Sequence, residues 1–172
     1  MTVEPGIVTL RIPGPEHHAR VREIVEATGL FRPEEVGIAL EVFESAALAP
    51  GADYTPLGAF DEEGNLLGFA CYGPTPCTVG TWDLYWIAVD PGAYRQGVGR
   101  KLAQWTEQRI AGEGGRLIVA ETSSRADYDP TRAFYEALHY EVAARVPDFY
   151  APDDDLVVYT KRLGPPREST ND

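Results

Sequence analysis

Residues Asp83 to Leu102 read DLYWIAVDPGAYRQGVGRKL and decide the fold of this chain. The apolar run Leu84 to Val89 predicts a strand, and the residues after Gly99 carry apolar side chains at helical spacing. Between them lies a loop with Gly97 and Gly99, where a phosphate can approach without meeting a Cβ atom. Backbone N–H groups at a helix start lack intrahelical partners, and the helix dipole stabilises an anion there by roughly 0.3–1 kcal/mol. The stretch therefore predicts a strand–loop–helix junction that binds a phosphate.

The basic residues near the loop support a phosphate site, and the net charge of the whole chain argues against nucleic acid as a partner. Arg95, Arg100 and Lys101 place positive charge beside the glycines, although the formal net charge of the chain is -12. Such acidity argues against broad binding to nucleic acid and mildly favours cationic substrates. The alternative for the loop is a glycine turn followed by a solvated basic helix face, and the residues alone leave that alternative open.

Two rival phosphate motifs fit the loop less well. A Walker loop would need lysine and then serine or threonine where Val98 and Gly99 stand, which excludes its usual form. A dinucleotide fingerprint would need glycine or alanine in place of Leu102. Because Glu121 follows the next strand, where a ribose-binding acid would lie, a dinucleotide-dependent enzyme stays as a minor alternative.

Bulk properties predict one domain in the cytoplasm. The 172 residues suffice for one buried core, no stretch reaches the roughly 18 apolar residues of a membrane span, and MTVEPGIVTL lacks a signal-peptide profile. Cys71 and Cys77 match neither zinc nor redox spacing, so we interpret them as ordinary thiols. The histidines are scattered, and no metal is expected.

The remaining patterns give the order strand, two helices, three strands, helix, strand, helix and two strands. We expect a mixed α/β (α+β) domain over residues 1–163, with a disordered tail over 164–172. The predicted segments are strand Ile7–Ile12, a helix to about Thr28, a helix from Pro33 to about residue 49, strands Thr55–Phe60 and Leu66–Tyr72 around the turn DEEGN, strand Leu84–Val89, a helix from Val98 to Gly112, strand Arg116–Ala120, helix Thr131–Leu138, and strands Tyr140–Val146 and Leu156–Thr160.

This order and loop resemble the GNAT superfamily of acetyl-CoA-dependent N-acetyltransferases, from Ile7 to Leu163. The family motif, Gln or Arg, two residues, Gly, one residue, then Gly or Ala, falls on residues 94–99 and departs at Tyr94. The resemblance implies a twisted, mostly antiparallel sheet of about seven strands, about four flanking helices and a central parallel β-α-β unit. It also implies an acyltransferase with acetyl-CoA as cosubstrate.

The resemblance assigns cofactor contacts to the junction. The strand Trp86 to Val89 would pair through its backbone with the pantetheine arm, and backbone amides of the loop would bind the pyrophosphate. Arg95 would replace the charge missing at Tyr94, whereas Tyr128 stands where an asparagine contact is usual. The expected cofactor-binding residues are Ile87, Ala88, Val89, Arg95, Gln96, Gly97, Val98, Gly99, Arg100 and Arg132.

Catalysis would need a base and an acid. An amine attacks a thioester only when neutral, and deprotonating one with a pKa of about 10.4 at pH 7 costs roughly 4–5 kcal/mol. Asp83 resembles the position of a family glutamate base and would act through a water, with Glu121 as the competing candidate. Either acid could instead be a solvated strand-end carboxylate. Tyr135 resembles the tyrosine that protonates the departing CoA thiolate.

By the same resemblance, the acceptor pocket would come from TGLFRPEE and VPDFYAPDDD. Phe31, Phe149 and Tyr150 would form its walls, and the aspartates of the second segment would attract an ammonium group unless they form only a solvated turn. The acceptor would be a small-molecule or peptide amine, and its identity remains open. Whether the protein forms a homodimer also remains open. A non-catalytic acyl-CoA-binding sensor with this fold is the main alternative function.

Overall fold

The computed structural model describes residues 7–164. Its helices are α1 (His18–Ala27), α2 (Pro33–Leu48), α3 (Val98–Gly112) and α4 (Asp129–Ala137). Its strands are β1 (Thr9–Arg11), β2 (Thr55–Phe60), β3 (Leu66–Pro74), β4 (Thr81–Val89), β5 (Leu117–Ser123), β6 (Glu141–Ala151) and β7 (Asp154–Arg162). The strands form one mixed sheet in the order β1-β2-β3-β4-β5-β7-β6, in which β4 and β5 are parallel. The predicted fold class and order of elements are confirmed.

Contacts divide the chain into two compact units. The first combines the residues up to Pro74 with Asp83–Thr106, and the second combines Thr75–Trp82 with the residues from Glu107 onward. The single domain expected over residues 1–163 stays a prediction. No helix within residues 7–164 is long and apolar enough to cross a membrane.

In the first unit, two helices bury apolar faces against antiparallel strands. β1 pairs with β2, and β2 pairs with β3 through the turn DEEGN, where Asn65 N donates to Asp61 Oδ1 at 2.7 Å. Helix α2 begins at Pro33, and Arg32 N donates to Glu35 Oε2 at 2.6 Å, which satisfies a backbone donor at the helix start. The core residues are Val21, Ile24, Val25, Val36, Ala39, Leu40, Phe43, Ala46, Ala47, Phe60, Leu66, Phe69, Cys71 and Ala88.

In the second unit, β7 pairs antiparallel with both β5 and β6. The pairing with β5 runs from Leu117 opposite Arg162 to Ser123 opposite Leu156. Strand β6 lies at the edge of the sheet and is exposed over most of its length. Helix α4 buries one side chain, Tyr135.

Strand ends differ from the predicted bounds. β1 covers only part of the expected Ile7–Ile12, whereas β5 continues to Ser123 and β6 to Ala151. The disordered tail expected from Gly164 lies, apart from Gly164 itself, outside the described residues. The differences lie at strand ends, where polar residues and proline obscure the pattern.

Candidate functional site

Asp83, the predicted base, lies on β4 beside a pair of tyrosines. The hydroxyl of Tyr85 donates to Asp83 Oδ2 at 3.3 Å, and the ring of Tyr85 packs edge-to-face on Tyr54 with centroids 5.1 Å apart. Partial burial, followed by the negative charge of Asp83, raises the pKa of Tyr85 to about 12. The phenol therefore stays protonated at neutral pH and holds the carboxylate in place.

Ile87, Ala88 and Val89, assigned to the pantetheine arm, form the end of β4. A Cβ atom at Gly68 on β3 would lie 2.9 Å from the carbonyl oxygen of Ala88 and 3.1 Å from Val89 Cγ2. The glycine allows this close approach, so the path of β4 depends on its neighbour having no side chain there.

The loop after β4 turns tightly at Asp90. Its backbone N–H donates to Leu67 O at 2.8 Å, and its carboxylate accepts from Gly92 N at 2.7 Å. Ala93 N then donates to Asp90 O at 2.8 Å, and the Ala93 side chain is buried. These bonds fix where the chain enters the predicted phosphate loop.

The loop presents a row of unpaired backbone donors. No backbone N–H from Arg95 to Arg100 donates a hydrogen bond within residues 7–164, whereas Lys101 N donates to Gly97 O at 3.0 Å as the first helical bond of α3. Arg95 (φ 65°) and Gly97 (φ 76°) both adopt left-handed backbone conformations. A Cβ atom at Gly97 would meet no atom of residues 7–164 within 4 Å, so these residues leave the space over the glycine open. This arrangement suits a bound anion.

The charged side chains around these amides are all positive. Arg95, Arg100 and Lys101 are exposed and form no ion pair in the described part of the chain. Gln96 is held to the loop, since its Nε2 donates to Gly92 O at 3.4 Å. Tyr94, which stands where the motif of the resembling family has Gln or Arg, is half-exposed. The first unit therefore places uncommitted positive charge beside the unpaired amides.

Tyr135, the predicted acid, lies in an aromatic cluster of the second unit. Its ring packs edge-to-face on Tyr140, with centroids 5.2 Å apart, and stacks on Tyr159 at 5.7 Å. The hydroxyl of Tyr159 donates to Glu136 Oε1 at 2.9 Å, but that of Tyr135 makes no hydrogen bond in the region described. Burial raises the pKa of Tyr135, which keeps the phenol protonated.

A buried ion pair lies next to this cluster. Lys161 Nζ lies 2.8 Å from Glu107 Oε2, with both side chains mostly buried, and 5.5 Å from the centre of the Tyr140 ring. The Tyr140 hydroxyl and Glu107 Oε1 are both solvent-inaccessible, and neither makes a well-formed hydrogen bond within residues 7–164, although the two side chains lie close enough to interact. Burial, followed by the charge of Glu107, raises the pKa of Tyr140, so this phenol also stays neutral.

Glu121 and Arg132 lie in different environments within the second unit. Glu121 is exposed on β5, opposite Val158 of β7. The guanidinium of Arg132 donates to the carbonyl oxygens of Ser123 and Arg125 and pairs with Asp129. These contacts tie α4 to the end of β5, so much of the donor capacity of Arg132 serves the loop itself.

The predicted acceptor walls are divided between the units. In the first, Phe31 packs edge-to-face on Trp86 of β4 at 4.9 Å. In the second, Phe149 is exposed and packs at 5.0 Å on Tyr150, near the β6–β7 turn. The structure thus brings Phe31 beside β4, and Phe149 beside Tyr150.

Two features escaped the sequence-based prediction. Arg20 on α1 pairs with Asp90 across 70 residues, and Lys161 pairs with Glu107 across 54. Neither pair belongs to a short motif, so no local signal could have identified it. Among the described residues, no group of three or more His, Cys, Asp or Glu side chains could hold a metal ion.

Comparison with known proteins identifies the family. Residues 21–140 match the model of the family described as "Acetyltransferase (GNAT) family". No functionally curated protein matches the sequence. A solved GNAT-family protein from Desulfovibrio desulfuricans is 39% identical, with 91% of this chain and 99% of the other covered and a TM-score of 0.86.

More distant structures share the fold. The ribosomal-protein-S18-alanine N-acetyltransferase from Escherichia coli is 20% identical, with 96% and 99% of the two chains covered and a TM-score of 0.74. The protein yncA from Salmonella typhimurium, solved with its cofactor acetyl-CoA, is also 20% identical, with 97% and 99% covered and a TM-score of 0.72. By the extent of the family match and the 39% identity to a solved member, the chain belongs to the GNAT family of acetyltransferases.

Proposed function

We propose that this protein transfers an acetyl group from acetyl-CoA to a primary amine. The observation that carries the proposal is the row of backbone N–H groups from Arg95 to Arg100 that donate no hydrogen bond within residues 7–164. They span an exposed loop and the first turn of α3, beside exposed positive side chains. Several oriented donors and a helix N-terminus suit the pyrophosphate of CoA, and the open space at Gly97 admits it. Bound there, acetyl-CoA would supply the activated acetyl group.

For catalysis we keep the roles that the family resemblance implies. Asp83 would accept a proton from the acceptor ammonium through a water, which leaves a neutral amine to form the new C–N bond. As the C–S bond breaks, Tyr135 would donate its hydroxyl proton to the departing thiolate, and the extra proton on the newly bonded nitrogen would pass through solvent back to the tyrosinate, which leaves a neutral amide. Glu121 remains the second candidate for the base. The support for Tyr135 is that burial keeps its hydroxyl protonated and that, among residues 7–164, the hydroxyl has no hydrogen-bond partner.

Direct transfer in a ternary complex agrees with the state of the cysteines. Cys71 is fully buried in the core of the first unit, and burial raises the pKa of its thiol. Because the thiolate is the nucleophile, such a thiol is a poor acetyl carrier. Cys77 is exposed, and an acetylated cysteine is unnecessary in the scheme.

A non-catalytic acyl-CoA sensor is the second candidate. Its support is the pair of departures at Tyr94 and Tyr128, where the resemblance leads us to expect a charged or amide side chain. A sensor would bind acetyl-CoA without turnover, whereas the less favoured dinucleotide-dependent enzyme would bind NADH instead. Among solved relatives, the Escherichia coli enzyme acts on a protein alanine. For this protein we propose a peptide or small-molecule amine as the acceptor.

We also propose that the protein is cytoplasmic and that it forms a homodimer.

Calorimetric titration with acetyl-CoA, with NADH as control ligand, tests the loop assignment first. We expect micromolar acetyl-CoA binding and no NADH binding; a ligand at 100 times its dissociation constant would also stabilise the fold by about 2.7 kcal/mol. An amine panel with detection of released CoA thiol then separates enzyme from sensor. Absence of binding to acetyl-CoA and to longer acyl-CoAs would remove the basis of the proposal.

A further inference from the structure

Arg20 of α1 reaches the point where β4 enters the phosphate loop. Its Nη2 pairs with Asp90 Oδ2, and its Nε donates to the carbonyl oxygen of Leu66 at 3.1 Å. Its Nη1 also donates to Glu23 Oε2 at 3.1 Å. The side chains of Arg20 and Asp90 are 35% and 24% exposed, so the pair is only partly screened by solvent. One guanidinium thus connects α1, the start of β3 and the first loop residue.

Asp90 connects Arg20 to the backbone of the loop. Its Oδ2 pairs with Arg20, while Oδ1 accepts from Gly92 N at 2.7 Å and its carbonyl oxygen accepts from Ala93 N at 2.8 Å. The carboxylate is therefore fixed at both oxygens, and the turn it caps leads directly to Tyr94 and Arg95. The Gly92 N–H and Arg20 both lower the pKa of Asp90, so the carboxylate stays ionised at neutral pH.

The residues beyond this turn have little else to fix them. Residues 94–97 are exposed, and the backbone N–H groups of residues 95–97 donate no hydrogen bond in the described region. Arg95 is held at φ 65°, a conformation that non-glycine residues rarely adopt. A loop of this kind keeps a binding-competent conformation only if its ends are held, and the apparent dissociation constant rises as that conformation becomes less populated.

We propose that Arg20 is a positioning residue that presets residues 90–97 for the phosphates of CoA. This inference rests on the proposed function and extends it to a side chain on another element. Arg20 acts through Asp90 and does not itself contact the ligand. If the competent loop falls to between a third and a tenth of its population without the anchor, the dissociation constant for CoA rises about three- to tenfold.

Three variants test the proposal. Arg20→Met removes the guanidinium and keeps an apolar stem, and Arg20→Lys keeps the charge but loses the double attachment. Arg22→Met is the matched control, because Arg22 lies on the same helix and, within residues 7–164, forms only an exposed pair with Glu26 at 3.6 Å. The measurements are calorimetric CoA binding, backbone amide exchange over residues 90–97, and the thermal midpoint.

We expect Arg20→Met to weaken CoA binding three- to tenfold, to speed amide exchange over residues 90–97, and to leave kcat at saturating acetyl-CoA within twofold. Arg20→Lys should recover part of the affinity, and Arg22→Met should match the unaltered protein. A lower thermal midpoint with unchanged CoA affinity and unchanged loop exchange would reduce Arg20 to a structural role and overturn the inference. If the unaltered protein does not bind CoA at all, the proposed function fails instead, and the inference fails with it.

Discussion

Replacing Tyr135 with phenylalanine separates chemistry from stability more cleanly than any other change at this site. The ring contacts with Tyr140 and Tyr159 survive in Tyr135→Phe, and the deleted hydroxyl has no hydrogen bond within residues 7–164. No buried partner is left unsatisfied, so the free energy of unfolding should change by less than about 0.5 kcal/mol. If the hydroxyl protonates the leaving thiolate, its loss should lower kcat about 100- to 1,000-fold. That is roughly 2.7–4.1 kcal/mol of transition-state stabilisation.

The same cluster supplies matched controls. Tyr159→Phe loses the 2.9 Å hydrogen bond to Glu136, which should cost about 1 kcal/mol and lower the thermal midpoint by roughly 2–4 °C. Tyr140→Phe removes a buried hydroxyl that faces Glu107 and should change the free energy of unfolding by less than about 1 kcal/mol. Both controls should keep kcat within about threefold, since neither hydroxyl is assigned a proton transfer.

The assay is release of CoA thiol at saturating acetyl-CoA and acceptor, between pH 6 and 9, alongside thermal unfolding. Since burial raises the pKa of Tyr135, its phenol stays protonated throughout this range, and Tyr135→Phe should lose the same factor at every pH. If Tyr135→Phe turns over within threefold of the unaltered protein, the general-acid assignment is wrong. Equal losses in all three tyrosine variants would also refute it, because they would indicate a packing effect.

Three further changes have outcomes that the structure sets. Lys161→Met should cost about 2–3 kcal/mol in thermal unfolding because it leaves Glu107 mostly buried and unpaired, and adding Glu107→Gln should restore part of that loss; additive costs would refute the coupling. Gly73→Ala should cost about 1–3 kcal/mol, because its Cβ would lie 2.2 Å from a backbone oxygen, whereas Gly112→Ala, with nothing within 4 Å, should be neutral or stabilising. The folded-state pKa of Asp90 lies below its unfolded value of about 3.9, so its contribution to the free energy of unfolding is present above pH 4 and is lost as the pH falls through the folded pKa. In unfolding experiments at acidic pH, Asp90→Asn should therefore make the free energy of unfolding less dependent on pH than in the unaltered protein.

The sequence predicted the elements well because their apolar periodicity is strong, and it failed where tertiary position decides. The strand pattern ends at Val146 because Pro147 lacks a backbone N–H. In the structure β6 continues to Ala151, since it is an edge strand whose outer donors need no partner. β5 likewise runs on through Thr122, whose hydroxyl donates to Val157 O at 3.0 Å. Polar residues of this kind look like loop until their partner strand is known.

The candidate site divides in the same way. The strand–loop–helix junction could be predicted because Gly97 and Gly99 mark its backbone path locally, and its binding of a phosphate stays a prediction. The anchor from Arg20 to Asp90 was not, because it joins residues 70 positions apart that form no motif. Local chemistry was therefore visible in the sequence, whereas the contacts that hold it in place required the fold.

The acidic turn between β6 and β7 contains four aspartates that differ in their hydrogen-bond and ion-pair partners. Four aspartates there suggested attraction for an ammonium group, but Asp154 is buried and accepts from Ser123, and Asp155 is held by Arg145 at 2.6 Å. Asp148 Oδ1 accepts from Asp153 N at 2.8 Å, which leaves Asp153 as the one of the four with no bond to its carboxylate in the described residues. Most of these carboxylates therefore bind other residues of the β6–β7 hairpin or the end of β5. A carboxylate that accepts a hydrogen bond keeps its negative charge, so any attraction the turn exerts on an amine is shared among these aspartates, with the charge of Asp155 partly offset by Arg145.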